Sequence, residues 1–269
     1  MFKQEEFMGR RVLKSSFLED EPVIAFFTTR ELPLKCGERQ DLKGQIEQNK
    51  KLVCEGLKIP LENLIIPNQT HSDNVKVVVR KEETGNRQSN ESIRLPFTVP
   101  RSLYENTDAL ITNQSDIALA LNFADCVPII LYDKSKKIVA GIHAGWRGTA
   151  AKIVQKAVKK MQEEFKSESE DIIALIGPAI GKCCFEVDKD TMEKILSSVK
   201  DEEKVLVCDK MNVDLKLVNK FQLLAMGVEK IDLCEDCTCC KNELFFSYRK
   251  EKGNCARHSL AVMLKRGEK

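Results

Sequence analysis

Histidine is scarce in this chain: 269 residues hold three, alongside a single tryptophan and three tyrosines. Chemistry that needs imidazole must therefore run through His71, His143 or His258. Long apolar runs are missing as well. No stretch reaches the ~20 apolar residues that span a bilayer as a helix. The opening Met1-Phe-Lys-Gln-Glu-Glu6 places acids where a secretion signal has a basic and then an apolar segment. The sequence thus predicts a soluble, cytoplasmic protein with no membrane partner. An excess of either charge is also absent, since 43 basic against 41 acidic residues leave a net +2. That gives little field for steering a polyanion, and nucleic acid is set aside as a partner. There is no internal repeat, heptad run or low-complexity tract.

Cysteine, by contrast, is plentiful. Eleven in a chain of this length read as reduced thiols, some of them available as metal ligands or nucleophiles, rather than as a disulfide scaffold. Hydrophobic residues make up 42% of the chain, enough for a sizeable core. Their pattern predicts strands at 21–27, 64–66, 75–79, 107–112, 117–122, 127–132, 137–142, 171–176, 230–234 and 259–264. Helices are predicted from Asp41, as a cap, to about Gly56, then over 151–165, 188–199 and 212–226. Residues 80 to 103 are polar, contain proline and show no period, which predicts a long loop. Strands in succession with few helices between them point to a single α+β domain over 1–269, a layered α/β sandwich with mixed β-sheets.

The stretch Ala140-Gly-Ile-His-Ala-Gly-Trp-Arg-Gly-Thr-Ala150 joins a predicted strand to a predicted helix through a tight turn. It carries His143, the only tryptophan, and Arg147, whose planar fork suits phosphate or carboxylate. A helix beginning there would aim unpaired amides at the turn, so an anion site is expected. His71 in Gln69-Thr-His71 and Cys126 in Asn122-Phe-Ala-Asp-Cys-Val-Pro128 also lie at predicted strand ends. Two imidazoles and a thiolate are three ligands of the kind zinc prefers, with a fourth position left open. The same residues also read as a thiol nucleophile, Cys126, activated by His71 or His143, which would make an acyl-transfer or deamidating enzyme. Both readings require the three to converge.

The remaining candidates are weaker. Cys234-Glu-Asp-Cys-Thr-Cys-Cys240, with the pair Cys183-Cys184 elsewhere, lacks the CxxC…CxxC spacing of a zinc ribbon, and a loop of reduced thiols is expected. Phe245-Phe-Ser-Tyr-Arg-Lys250 alternates as an edge strand does, with Arg249 as a second anion contact or a solvated charge. His258 reads as a surface or packing residue, Asp108 as a turn residue, and Asp125 as a turn residue that could steer a neighbouring histidine's tautomer.

Taken together, Gln69-Thr-His71, Thr107-Asp-Ala-Leu-Ile-Thr112, Ala124-Asp-Cys126, Gly141-Ile-His-Ala-Gly-Trp-Arg-Gly148, Gly177-Pro-Ala-Ile-Gly-Lys-Cys-Cys-Phe-Glu-Val187 and Phe245-Phe-Ser-Tyr-Arg249 resemble the multicopper polyphenol oxidase or laccase-domain family over nearly the whole chain. That resemblance implies a single-domain layered α/β fold and a purine nucleoside phosphorylase. The substrates it implies are adenosine, inosine, guanosine and methylthioadenosine with phosphate, and adenosine deamination accompanies the phosphorolysis. It also implies zinc on His71, Cys126 and His143. Laccase chemistry itself needs a blue copper site plus a three-copper cluster ligated largely by imidazole, and three histidines cannot supply them. Copper would enter only adventitiously, by outranking zinc for the same ligands. A non-catalytic purine-binding protein is the rival expectation. A monomer and a homodimer are both compatible with the composition.

Overall fold

The computed structural model describes residues 1–80, 92–95 and 104–266. Within them the chain forms two mixed sheets stacked face to face, with helices on both outer faces. The first sheet runs in the order Phe2–Phe7, Arg10–Ser15, Val23–Thr28, His258–Leu264, Ala118–Phe123, Leu64–Ile65. The second runs Lys230–Leu233, Ile172–Ile176, Val127–Asp133, Ile138–Ala144, Ala109–Thr112, Val75–Arg80, Ser92–Leu95. Antiparallel pairs dominate the middle of each, and parallel pairs close one edge of the first sheet and both edges of the second.

The side-chain alternation of the strands builds the layers. Leu119, Leu121, Leu260 and Val262 of the first sheet meet Leu110, Ile130, Tyr132, Val139, Ile173 and Leu175 of the second in one buried cluster. Residues one step along each strand point the other way. Ala118, Ala120, Ala261 and Met263 pack against Val53, Cys54 and Leu57 of helix Lys43–Leu57. Ile111, Ile129, Leu131, Ala140 and Ile142 pack against Ile153, Val154, Ala157, Val158 and Met161 of helix Ile153–Phe165. The central strands therefore read as unbroken apolar runs because both of their faces are covered. Gly141 leaves room for the facing sheet: a Cβ there would stand 2.9 Å from the Leu121 and Leu260 side chains.

The expected α/β sandwich with mixed sheets is what the chain forms, with several local differences. Asp41 does not cap the first helix; Arg39 claims its carboxylate, and the helix starts at Lys43 behind an uncapped Leu42. The helix predicted over 151–165 forms, but Ala151 and Lys152 lie outside it. A five-residue piece, Trp146–Ala150, is followed by Lys152 in the left-handed region (φ 59°), and the long helix starts only at Ile153. Phe245–Lys250 is a turn segment rather than an edge strand, because the Glu251 carboxylate gathers the Ser247 amide, the Asn242 amide and the Arg30 guanidinium and curls the chain around them. The loop predicted over 80–103 contains a strand, Ser92–Leu95, paired parallel to Val75–Arg80; the rest of that prediction lies outside the described residues. No helix among the described residues is long and apolar enough to cross a membrane.

Candidate metal and active site

Two of the segments that cross between the sheets meet at one end of the sandwich. The chain leaves the first sheet at Phe123 and enters the second at Val127, with Cys126 in the crossing. It also leaves the first sheet at Ile65 and enters the second at Val75, with His71 in that crossing. The Gln69 side chain ties the two together: its amide donates to the Asn122 carbonyl (2.8 Å), and its own oxygen accepts the Asn122 N–H (2.9 Å). His143 arrives from the second sheet, near the end of Ile138–Ala144. Both crossings turn sharply, with His71 (φ 61°) and Asp125 (φ 83°) in the left-handed region that side-chain-bearing residues avoid.

The predicted triad is thereby assembled: one nitrogen each of His71 and His143 and the Cys126 sulfur lie within 4.8 Å of one another. The imidazole rings of His71 and His143 meet edge to face at 4.9 Å. Gly145 permits the approach, since a Cβ there would stand 2.9 Å from His71 Cδ2 and 3.1 Å from Cys126 Sγ. The three residues grade from exposed His71 through half-buried Cys126 to buried His143. One side of the cluster thus opens on solvent and the other on the core.

Asp108 organises this cluster, and sequence reasoning gave it no such role. Its carboxylate is fully buried and accepts from His143 Nδ1 at 2.7 Å. It also accepts the backbone N–H groups of Thr70 (3.2 Å), His71 (3.1 Å) and Ser72 (2.7 Å), and the Ser72 hydroxyl (2.6 Å). One acid therefore fixes both the ring of His143 and the loop that carries His71. Burial alone would raise the Asp108 pKa, but these donors more than offset it and hold the carboxyl near 2. Burial would likewise raise the Cys126 thiol, and the two imidazoles bring it down to about 6. His143 is pushed up to about 9 against its burial, by Cys126 and Asp108. Near neutral pH the metal-free cluster is thus an imidazolium–thiolate pair, with a donor set suited to a thiophilic cation.

The cluster forms the floor of a cleft of about 600 Å³. Arg147 stands at its rim, exposed, with its guanidinium 4.3 Å above the Trp146 ring. The anion-binding helix expected behind it is absent in that form, because the helix starting at the turn has only five residues and carries little dipole. Arg249 also lines the cleft, but its two terminal nitrogens donate to the carbonyls of Cys184 (3.1 Å) and Glu186 (3.0 Å). Lys35 and Arg257 face the same space, with Phe185 and Tyr248 as aromatic surfaces. No motif in the sequence marks Lys35 or Arg257, whereas Phe185 and Tyr248 lie in two of the stretches that carry the family resemblance. Asp125 does not touch a histidine; it accepts from Thr238 Oγ1 and from the Arg249 N–H, both at 2.7 Å. His258 is sealed in the core between Phe123 and Phe245, a packing residue.

The Cys234–Cys240 segment is a loop, as expected, but it is not isolated. It meets the Cys183–Cys184 turn, and the sulfurs of Cys183, Cys184, Cys237 and Cys240 all lie within 4.8 Å of one another.

Comparison with known proteins adds lineage to this geometry. Residues 30–265 match the family model described as multi-copper polyphenol oxidoreductase laccase. The chain is 33% identical over 216 residues to a purine nucleoside phosphorylase of Bacteroides thetaiotaomicron, covering 78% of this chain and 76% of that one. It is 34% identical over 223 residues to the purine nucleoside phosphorylase YlmD of Geobacillus stearothermophilus, covering 81% and 78%. The crystal structure of YlmD from that organism superposes with a TM-score of 0.83, over 98% of this chain and 99% of that one, at 29% identity. An adenosine deaminase, RL5, from an unknown prokaryotic organism is 33% identical over 208 residues, 75% of each chain.

Proposed function

Because the chain belongs to the multi-copper polyphenol oxidoreductase laccase family, we propose that it is a zinc-dependent purine nucleoside phosphorylase whose one site also deaminates adenosine. Its substrates on this reading are adenosine, inosine, guanosine and methylthioadenosine together with phosphate. The observation that carries it is the convergence of His71, Cys126 and His143 at the floor of the cleft. Two imidazoles and a thiolate, one imidazole hydrogen-bonded from behind by a carboxylate, form the three-ligand set with an open position that zinc uses in catalytic sites. When bound, the ion would supply Lewis acidity at that open position. Copper-cluster chemistry lacks ligands: of the three histidines, His258 is buried in the core and contributes nothing to the cleft.

The chain's own groups define the rest. Asp108 holds the Nδ1–H of His143 and leaves the other ring nitrogen for the ion. Phe185 and Tyr248 give a purine flat surfaces to lie against. In phosphorolysis a phosphate oxygen bonds to C1′ as the bond from C1′ to the base breaks, and that electron pair leaves with the base, which takes up a proton. An anion must therefore be held beside the sugar, and Arg147 is the free guanidinium fork best placed at the rim, with Lys35, Arg249 and Arg257 adding positive potential. Deamination needs no bound anion.

Incubating the protein with adenosine, inosine and guanosine, with and without phosphate, tests the proposal. Phosphate-dependent release of free base is expected from all three, with phosphate-independent conversion of adenosine to inosine. Neither reaction occurring would leave a binding protein and sink the reading. Arg147→Ala is expected to slow phosphorolysis by roughly 10- to 100-fold, the loss of about 1.5–3 kcal/mol from a charged hydrogen bond, and to slow deamination far less. Equal losses would mean that Arg147 holds the ribose or the turn instead.

A second reading keeps some support, because Asp108, His143 and Cys126 are also lined up as acid, base and thiol. The third donor, His71, on the same thiolate favours the metal, since an acyl-transfer triad has no use for it. Ester hydrolysis by metal-stripped protein, abolished by alkylating Cys126, would reverse that preference.

A further inference from the structure

Outside the cleft floor the described residues contain one other tight group of metal-type ligands. The turn at Lys182–Cys184 presents Cys183 and Cys184, and the loop after Asp236 presents Cys237 and Cys240. Adjacent cysteines bind one ion only where the backbone brings both sulfurs to the same side. This turn does so, closed by N–H groups of Cys184 (2.9 Å) and Phe185 (3.0 Å) bonded to the Gly181 carbonyl. The sulfur of Cys240 then lies 3.6 Å from Cys183 Sγ and 3.5 Å from Cys184 Sγ, and all four sulfurs lie within 4.8 Å of one another. A single tetrahedral ion with metal–sulfur bonds of about 2.3 Å holds its sulfurs about 3.8 Å apart. An iron–sulfur cluster, with each thiolate on its own iron, would require them further apart.

The two loops are fastened to each other around the sulfurs, and one of the four meets a backbone donor. The Gly181 N–H points at Cys237 Sγ at 3.1 Å. Gly181 also lets the loops close: a Cβ there would stand 3.2 Å from Cys237 Cβ and 3.3 Å from Cys183 Sγ. A parallel bridge between Ala179 and Cys237, with the Thr238 N–H on the Ala179 carbonyl at 3.1 Å, registers one loop against the other. Lys216, buried in its helix, donates to the carbonyls of Cys234 (2.7 Å) and Asp236 (3.1 Å) and anchors the second loop from below. Four neutral thiols are weak donors and acceptors that would give this convergence little stability of their own.

We propose that Cys183, Cys184, Cys237 and Cys240 form a second, closed metal site that binds one thiophilic divalent cation of the zinc class in a structural role. Its effect is on the cleft wall. The same turn carries Phe185 and the two carbonyls that hold the Arg249 guanidinium, so the ion staples the wall that faces the purine.

The test uses the full chain in a Cys126→Ser background, which removes the only sulfur from the cleft-floor site and makes the outcome independent of the catalytic reading. Metal-free protein is titrated with cobalt(II) and followed by thiolate-to-cobalt absorption in the near ultraviolet, and zinc content is measured in parallel. One equivalent of tightly held zinc and a strong thiolate band are expected. Both should be lost when Cys237→Ser and Cys240→Ser are added, with the far-ultraviolet circular dichroism unchanged. Should that variant fail to fold, Cys183→Ser alone, on the exposed turn, is expected to weaken the band and make zinc extractable by a mild chelator. A Cys126→Ser protein without the band overturns the proposal, as does a band that survives the added substitutions. So does a disulfide from Cys240 to Cys183 or Cys184, found in place of metal in protein purified under reductant.

Discussion

A single carboxylate sets the geometry of the cleft floor. Asp108 accepts from the ring of His143 and from the backbone of the loop bearing His71, so replacing it loosens two of the candidate ligands at once. Asp108→Asn keeps the shape but brings an amide donor against backbone N–H groups. We expect zinc affinity, measured by competition with a chelator, to fall about 10- to 100-fold while the fold persists. Undiminished affinity would mean that the ligands are placed by their strands alone. His71, Cys126 and His143 were legible in the sequence, because few residue types ligate metals and each of these falls where an apolar run ends. Asp108 was not, and Asp125 was the acid expected beside a histidine. Both are acids in turns next to strands, and only the pairing of Ala109–Thr112 with Ile138–Ala144, confirmed by the His143 N–H on the Asp108 carbonyl at 2.7 Å, brings Asp108 and not Asp125 to the ring.

At the scale of elements, the turn after Ile138–Ala144 is shaped by contacts more than by helix propensity. Gly145 and Gly148 are pressed against their neighbours: a Cβ on Gly148 would lie 3.1 Å from the Ser72 carbonyl oxygen. The short helix is held by Asn219 and Gln222, which bond the Thr149 hydroxyl (3.0 Å) and carbonyl (2.9 Å). Gly145→Ala should force His71 and the Cys126 sulfur apart. The expected result is loss of bound zinc and of nucleoside turnover, with a change in melting temperature of only a few degrees; wild-type zinc content in that variant would refute the close-packing account. The short helix before Lys152 could not be read from periodicity, since the apolar recurrence begins only at Ile153. The hairpin Phe2–Phe7 with Arg10–Ser15 was invisible too. Its first strand is an edge whose middle residues all face solvent, and Lys3-Gln-Glu-Glu6 carries no alternation.

For the whole molecule, the layered class followed from strands in succession with few helices between them. Which sheet each strand joins did not, because partner choice is made across hundreds of residues. Stability over the sandwich should carry the mark of one buried base. Burial, with help from Arg257 and Arg30, pushes the His258 pKa down to about 3. An unfolded histidine takes its proton near pH 6.5. Between those values the unfolded state binds the extra proton, so stability falls as pH drops, by up to ~1.4 kcal/mol per pH unit from this group. His258→Leu is expected to flatten the loss between pH 6 and 4 in urea unfolding, and identical slopes for both proteins would show that the residue does not titrate in this way.

That same residue begins the strand His258–Leu264, which lies between Val23–Thr28 and Ala118–Phe123 in the middle of the first sheet. The strand leading into Cys126 thus takes its central neighbour from a segment far along the chain. A polypeptide without that segment carries His71, Cys126 and His143 but cannot close the sheet that aims Cys126. If the cluster binds zinc, a polypeptide ending just before His258 should bind none at this site although it keeps all three candidate ligands, and zinc bound tightly by such a fragment would show that the sheet does not aim the thiol.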